Sequence, residues 1–208
     1  MTEVNLDPDY LLVQRVQSGN LDAFDVLVAK YKQPIVRFAT RTLRDAAEAQ
    51  DVAQNVFVLM FKACGRFRFT CRFSTWLYTI TRNLCRNELR RRSRHRADFL
   101  RHEEIEAQEF ERWHLGKAKF GTVPGAVLQK ELEEKIEQAL ELLSERERTA
   151  ILLLQHEDLS YADVAEVLGT SHSATKTLIH RGRQTLKREL QPYLRSGAGR
   201  ASWSEVAA

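Results

Sequence analysis

LSYADVAEVLGTS, residues 159–171, runs directly into HSATKTLIHRGRQTLKREL, residues 172–190, and this stretch decides the fold of the C-terminal part of the chain. Ser160 can cap a short helix, Tyr161 to Leu168, by accepting a free backbone N–H in its first turn. Val164, Ala165 and Leu168 share the inward side, and Ala165 is small where two helices must cross closely. Gly169 suits the left-handed backbone position that ends a helix. Ser171 can cap a second helix, expected to run to about Tyr193. Its Ile179, Leu186 and Leu190 can pack inward, whereas Lys176, Thr177, His180, Arg181 and Gln184 recur at steps of one and three and so share a front. An apolar back with a basic, hydrogen-bonding front is how a recognition helix fits the major groove of DNA. The pattern establishes a helix-turn-helix without saying what its binding is for.

Moving toward the N-terminus, Ser144 and Glu147 form a capping box. Ala150, Ile151, Leu153 and Leu154 follow on the helix that it opens. Before it, Leu132, Ile136, Ala139, Leu140 and Leu143 make an apolar stripe, so a domain is expected over 127–195. Residues 97–126 differ in composition. They are rich in Glu and Gln, then collect Gly116, Gly121, Pro124 and Gly125, and read as a flexible acidic linker. Thirty extended residues span roughly 100 Å, enough for two domains to reach separate places on one partner. The tail 196–208 is small, polar and expected to be disordered.

The N-terminal part, 1–96, reads as a helical bundle. A helix from Pro8 to Ser18 carries Leu11, Leu12 and Val16. Gly19 breaks it, and Asn20 can cap a second helix with Phe24, Leu27, Val28 and Tyr31. Pro34 is expected to start a further segment bearing Ile35, Phe38 and Thr42. A helix from about Ala46 to Cys64 places Val52, Val56, Leu59, Met60 and Ala63 on one side. Ser74 or Thr75 can cap a last long helix. The whole is an all-α chain of two small helical domains.

Charge is zoned along this frame. Residues 66–96 hold ten basic residues and one acid, Glu88; residues 97–147 hold thirteen acids and seven bases; residues 171–195 hold six bases and one acid. Two basic zones around an acidic one suit two contacts with a polyanion. In the first zone Phe67, Phe69 and Phe73 interleave with Arg66, Arg68 and Arg72. Asn83, Arg86, Asn87 and Arg90 then recur along one helical face. Aromatic rings can stack on unpaired bases, arginines hold phosphates, and asparagines read base edges. Such a surface suits DNA that is opening. The arginines from 90 to 96 extend it toward phosphate.

Other classes find little support. Nuclease or phosphoryl-transfer chemistry would need clustered carboxylates or a phosphate loop. Asp51 has only Glu48 at a helical step, and His156-Glu-Asp158 lacks metal-ligand spacing, so no catalytic residue, metal or cofactor is assigned. Three cysteines, Cys64, Cys71 and Cys85, have neither disulfide nor zinc spacing. No apolar run approaches the ~20 residues that cross a bilayer. A cytoplasmic protein without membrane insertion, and not an enzyme, is expected.

Together these motifs resemble a family. AQDVAQNVF at 49–57, Arg66-Phe-Arg68, FSTWLYTI at 73–80 with Asn83, and the helix-turn-helix stand in the order found in the extracytoplasmic-function sigma factors of bacteria. The resemblance covers about residues 10–195. It implies core RNA polymerase and promoter DNA as partners, with an anti-sigma factor as a further one. It implies that Asp51, Gln54 and Asn55 dock on polymerase. It further implies that Phe67, Arg68, Arg72, Asn83, Arg86, Asn87 and Arg90 open and read the minus-ten element, Phe67 beside a flipped-out base. Lys176, Thr177, His180, Arg181 and Gln184 would read the minus-thirty-five element. The acidic linker is similar to the segment that threads toward the polymerase active centre. The chain departs from the family at 68–72, Arg-Phe-Thr-Cys-Arg where Arg-Gly-Asp-Ala-Ser is usual. It departs again at Asn55, where Glu is common, and at 172–178, where Leu178 replaces a frequent Arg. A competing reading from the residues alone is a helix-turn-helix regulator that does not open DNA.

Overall fold

The computed structural model describes residues 7, 9–102, 124–156 and 159–195, with side chains at 7, 9–94, 131–156 and 159–193. The described residues are all-α, as expected, and form two units, Met1–Gly116 and Lys117–Ala208. The first holds α1 (Tyr10–Gln17), α2 (Leu21–Leu43), α3 (Ala46–Cys64) and α4 (Phe73–His102). The second holds α5 (Pro124–Glu141), α6 (Glu145–Leu154), α7 (Tyr161–Leu168) and α8 (His172–Arg195). Residues 103–123 of the expected acidic linker and the expected tail, 196–208, lie outside the described residues. The linker's first six residues continue α4, and its last three open α5, where Pro124 takes the first helical position that proline favours.

In the first unit the local caps behave as their residue types dictate. Asn20 Oδ1 accepts the Ala23 N–H at 3.0 Å, and Asp45 Oδ1 accepts the Glu48 N–H at 2.9 Å. α2 packs on α1, α3 and α4. Leu27, Ile35, Phe38, Val56, Leu77 and Tyr78 are buried at the centre.

Three expectations fail here. Pro34 does not begin a segment; α2 runs through it unbroken. An interior proline costs about 3 kcal/mol or more, but Leu27 and Tyr31 before it and Ile35, Phe38 and Leu43 after it form one buried face. That packing outweighs the lost hydrogen bond. Leu59 is not inward but 40% exposed. Neither Ser74 nor Thr75 caps α4. Both are buried, and the Phe73 N–H is instead taken at 2.7 Å by Asp7 Oδ2, from the far end of the unit.

The second unit follows its caps closely. The Ser144 and Ser160 capping boxes are both formed, with the Asp163 carboxylate accepting from the Ser160 N–H at 2.8 Å. Gly169 sits at φ 61°, ψ 42°, in the left-handed region. Ser171 Oγ accepts the Ala174 N–H at 3.2 Å. Arg148 donates to the carbonyls of Leu140 (2.9 Å) and Leu143 (3.1 Å), closing the end of α5. Gly182 is buried on the inner side of α8, where a Cβ would lie 2.9 Å from Ile151 Cγ1. Its missing side chain lets α8 settle against α6.

Candidate nucleic-acid interface

On α8 the inner and outer faces separate cleanly. Thr175, Ile179 and Leu190 are buried, and Thr175 Oγ1 is 2.8 Å from Thr170 Oγ1 across the turn. Lys176, Thr177, His180, Arg181 and Gln184 are all exposed. At 3.6 residues per turn they fall within about 140° of arc. His180 Nε2 and Gln184 Nε2 lie 2.9 Å apart, so the ring and the amide hold one another one turn apart on that face. Arg183, just beside it, donates to the Tyr161 hydroxyl at 3.3 Å and ties α8 to α7. α7 thus braces the outer helix by its buried Val164, Ala165 and Leu168 and by this contact.

In the first unit the corresponding surface is the outer face of α4. Asn83, Asn87 and Arg90 are exposed and Arg86 half-buried, on about 100° of arc. Two arginines of the following run are turned to structural work. Arg91 donates both Nε and an Nη to Glu88, and this pairing holds the Glu88 carboxyl below the usual carboxylate range. Arg92 donates to the Leu43 carbonyl at 2.8 Å and pairs with Glu48, bridging the end of α2 to the start of α3. The expected phosphate-facing run therefore loses Arg91 and Arg92 to internal pairing.

The loop between α3 and α4 corrects a second expectation. Arg68 and Arg72 are exposed, but Phe67 is only 9% exposed. Its ring lies 5.0 Å from Phe69, 5.8 Å from Phe73 and 5.1 Å from Trp76. Phe67 is a core ring that supports the loop, with almost no face left for a base to stack on. Phe69 is half-buried against Tyr10 at 4.6 Å and has φ 52°. A non-glycine residue in that region stores about 1–3 kcal/mol of strain, which its surroundings must hold. Here a phenylalanine does so where the resembled family has glycine.

α3 turns Asp51, Gln54 and Asn55 outward, as the docking expectation requires of their exposure. Sequence reasoning missed what lies beside them. Val58 is 44% exposed and Phe61 56%, on the same face, with Leu59 at its margin and Phe24 of α2 against Phe61 at 5.1 Å. The signal was present as an apolar pair at a three-residue step next to polar positions. An exposed apolar patch rimmed by polar groups marks a protein contact. Cys64 and Cys85 are buried, and burial raises both thiols, Cys85 to about 12. No described helix is long and apolar enough to cross a membrane.

Known proteins resemble the chain across both units. The family model described as Sigma-70 region 2 matches residues 27–95, and that of Sigma-70, region 4 matches residues 133–186. The RNA polymerase sigma-H factor of Pseudomonas aeruginosa is 39% identical over 189 residues, covering 91% of this chain and 97% of that protein. The ECF RNA polymerase sigma factor SigW of Bacillus subtilis is 32% identical over 180 residues, covering 86% and 95%. Among solved structures, CnrH in complex with the cytosolic domain of CnrY aligns with a TM-score of 0.64 at 25% identity, covering 89% of this chain and 99% of that one.

Proposed function

Because this chain belongs to the extracytoplasmic-function group of sigma-70-type sigma factors, we propose a division of promoter recognition between its two units. As a sigma factor it binds core RNA polymerase and gives it promoter recognition. In the proposal, α8 enters the major groove of the minus-thirty-five element, with Lys176, Thr177, His180, Arg181 and Gln184 toward the bases and flanking phosphates. The outer face of α4, through Asn83, Arg86, Asn87 and Arg90, takes the minus-ten element together with Arg68 and Arg72 of the 65–72 loop. α3 docks on polymerase through Asp51, Gln54 and Asn55, and the apolar Val58 and Phe61 add contact area there.

The observation that carries this reading is the sorting of side chains in each unit. Exposed basic and amide groups occupy one outer face, and the opposite face of the same helix is buried. A regulator that does not open DNA, its first unit given to another partner or a ligand, has no use for the exposed amide and arginine face of α4. CnrH is recorded with the cytosolic domain of CnrY bound. By that likeness a regulatory protein partner, of the anti-sigma kind expected from the sequence, belongs to the proposal.

The test is transcription with core polymerase, supplemented with Asp51→Arg. The wild-type chain should co-purify with core and give promoter-specific run-off product, with permanganate-reactive thymines at the minus-ten element. Asp51→Arg should lose co-purification. An undiminished pull-down would remove α3 from the docking surface, and reactive thymines without dependence on this chain would remove opening from its role.

A further inference from the structure

α1 and Asp7 just before it hold the loop that precedes α4 at three places. Gln17, at the last turn of α1, donates its Nε2 to two carbonyls at once, Cys64 at 3.2 Å and Phe67 at 2.8 Å. These carbonyls lie on either side of the turn that leaves α3. Tyr10, at the first turn of α1, sets its ring against Phe69 at 4.6 Å, and Gln14 Nε2 donates to the Tyr10 hydroxyl at 2.7 Å. Asp7 accepts the Phe73 N–H where the loop ends. α1 is itself anchored. The Asp9 carboxylate, 1% exposed, accepts from Lys30 Nζ at 2.7 Å and from the Tyr31 hydroxyl.

The loop needs such a brace. Phe69 holds a left-handed backbone with φ 52°, which a phenylalanine adopts only when its neighbours impose it. Its ring is held between Tyr10 and Phe67. The start, the middle and the end of the loop are thus each fixed from the N-terminal segment, and the exposed Arg68 stands between two of the fixed points.

We infer that α1 positions the minus-ten-reading loop: Gln17 and Tyr10 set the geometry in which residues 68–72 meet DNA, and so set base discrimination without touching it. This rests on the proposed role of that loop. Gln17 is a positioning residue, and its chemistry gives a sharp test. Glutamate has the same shape but would aim a carboxylate at two carbonyl oxygens. Lysine has a different shape but can donate to both.

The experiment measures run-off transcription by core polymerase with the full chain on promoters that differ at single minus-ten positions. Gln17→Glu and, independently, Tyr10→Ala should reduce the ratio of best to second-best minus-ten sequence by about tenfold, taking well-made base contacts as the scale. Gln17→Lys should keep most of that ratio, because an ammonium can donate to both carbonyls. Core co-purification and the response to minus-thirty-five changes should stay as in the wild type. Discrimination unchanged in both Gln17→Glu and Tyr10→Ala overturns the inference, as does an equal loss in Gln17→Lys. A photo-crosslinking amino acid at position 68 separates the two layers. Crosslinks to minus-ten bases with unchanged discrimination in the variants refute the positioning role alone. No crosslink at all refutes the role of the loop.

Discussion

Phe67→Ala would remove a ring that is 9% exposed and touches three other aromatic rings at 5.0–5.8 Å. Truncating a buried phenylalanine costs about 3–5 kcal/mol. A domain of this size holds about 5–15 kcal/mol in total, so the variant would lose roughly a fifth of the unit's stability or more. At about 4–8 °C per kcal/mol the unit should melt at least 12 °C lower. Phe67→Leu keeps most of the volume and should cost about 1.5 kcal/mol or less. Hydrogen exchange read by mass spectrometry assigns the loss to a unit. Peptides from α2 and α4 should lose protection in Phe67→Ala, while those from α8 keep it as an internal reference. Any loss of promoter opening would then follow from the weakened unit. Unchanged protection in α2 and α4 with opening abolished would refute the reasoning, because it would mean the ring serves DNA rather than the core.

Arg181→Ala should weaken recognition at one minus-thirty-five position by about 1–3 kcal/mol if its contact is bidentate; selection from a randomised upstream element would reveal it, and an unchanged preference removes Arg181 from the reading set. Gly182→Ala sets a gain of about 1 kcal/mol in helix propensity against about 1–3 kcal/mol of overpacking on Ile151, so thermal unfolding of the second unit should show a net loss. In an Ile151→Ala background, where the 2.9 Å obstacle is gone, the same change should become stabilising. Cys85 carries a pH signature. Its thiol is raised from 9.0 to about 12 in the fold, so the fold binds that proton more tightly than the unfolded chain does. The stability this contributes is complete below pH 9 and is lost as pH climbs from there toward 12, at about 1.4 kcal/mol per pH unit. Urea unfolding from pH 8 to 10 should show the wild type holding its stability to about pH 9 and then losing on the order of 1.4 kcal/mol relative to Cys85→Ala by pH 10, and parallel profiles would contradict it.

What the sequence made legible was whatever is decided within a few residues. Ser160, Gly169 and Ser171 each act on backbone groups three or four positions away, so α7 and the start of α8 could be read directly. The outer face of α8 followed from spacing alone. What escaped was decided across the fold. Asp7 caps a helix 66 residues later. Pro34 is carried through α2 by packing that no local rule contains. Phe67 lies outside any helix, where no period sorts core from surface, and interleaved arginines made it look like a surface ring. Arg92 read as one basic residue among several until Glu48 and the Leu43 carbonyl were found beside it. Val58 and Phe61 went unnoticed for the opposite reason. They lie off the apolar stripe of α3 among polar positions, and only their exposure marks them as a contact.

Central to the proposed function is that the two units read separate promoter elements. Run-off transcription with core polymerase on a template library randomised at both elements measures it in one experiment. The wild-type chain should select two sequence motifs. Arg181→Ala should blur only the upstream motif, and Asn83→Ala only the downstream one. If either variant blurs both motifs equally, or the chain selects no downstream motif, the division of recognition between α8 and α4 is wrong.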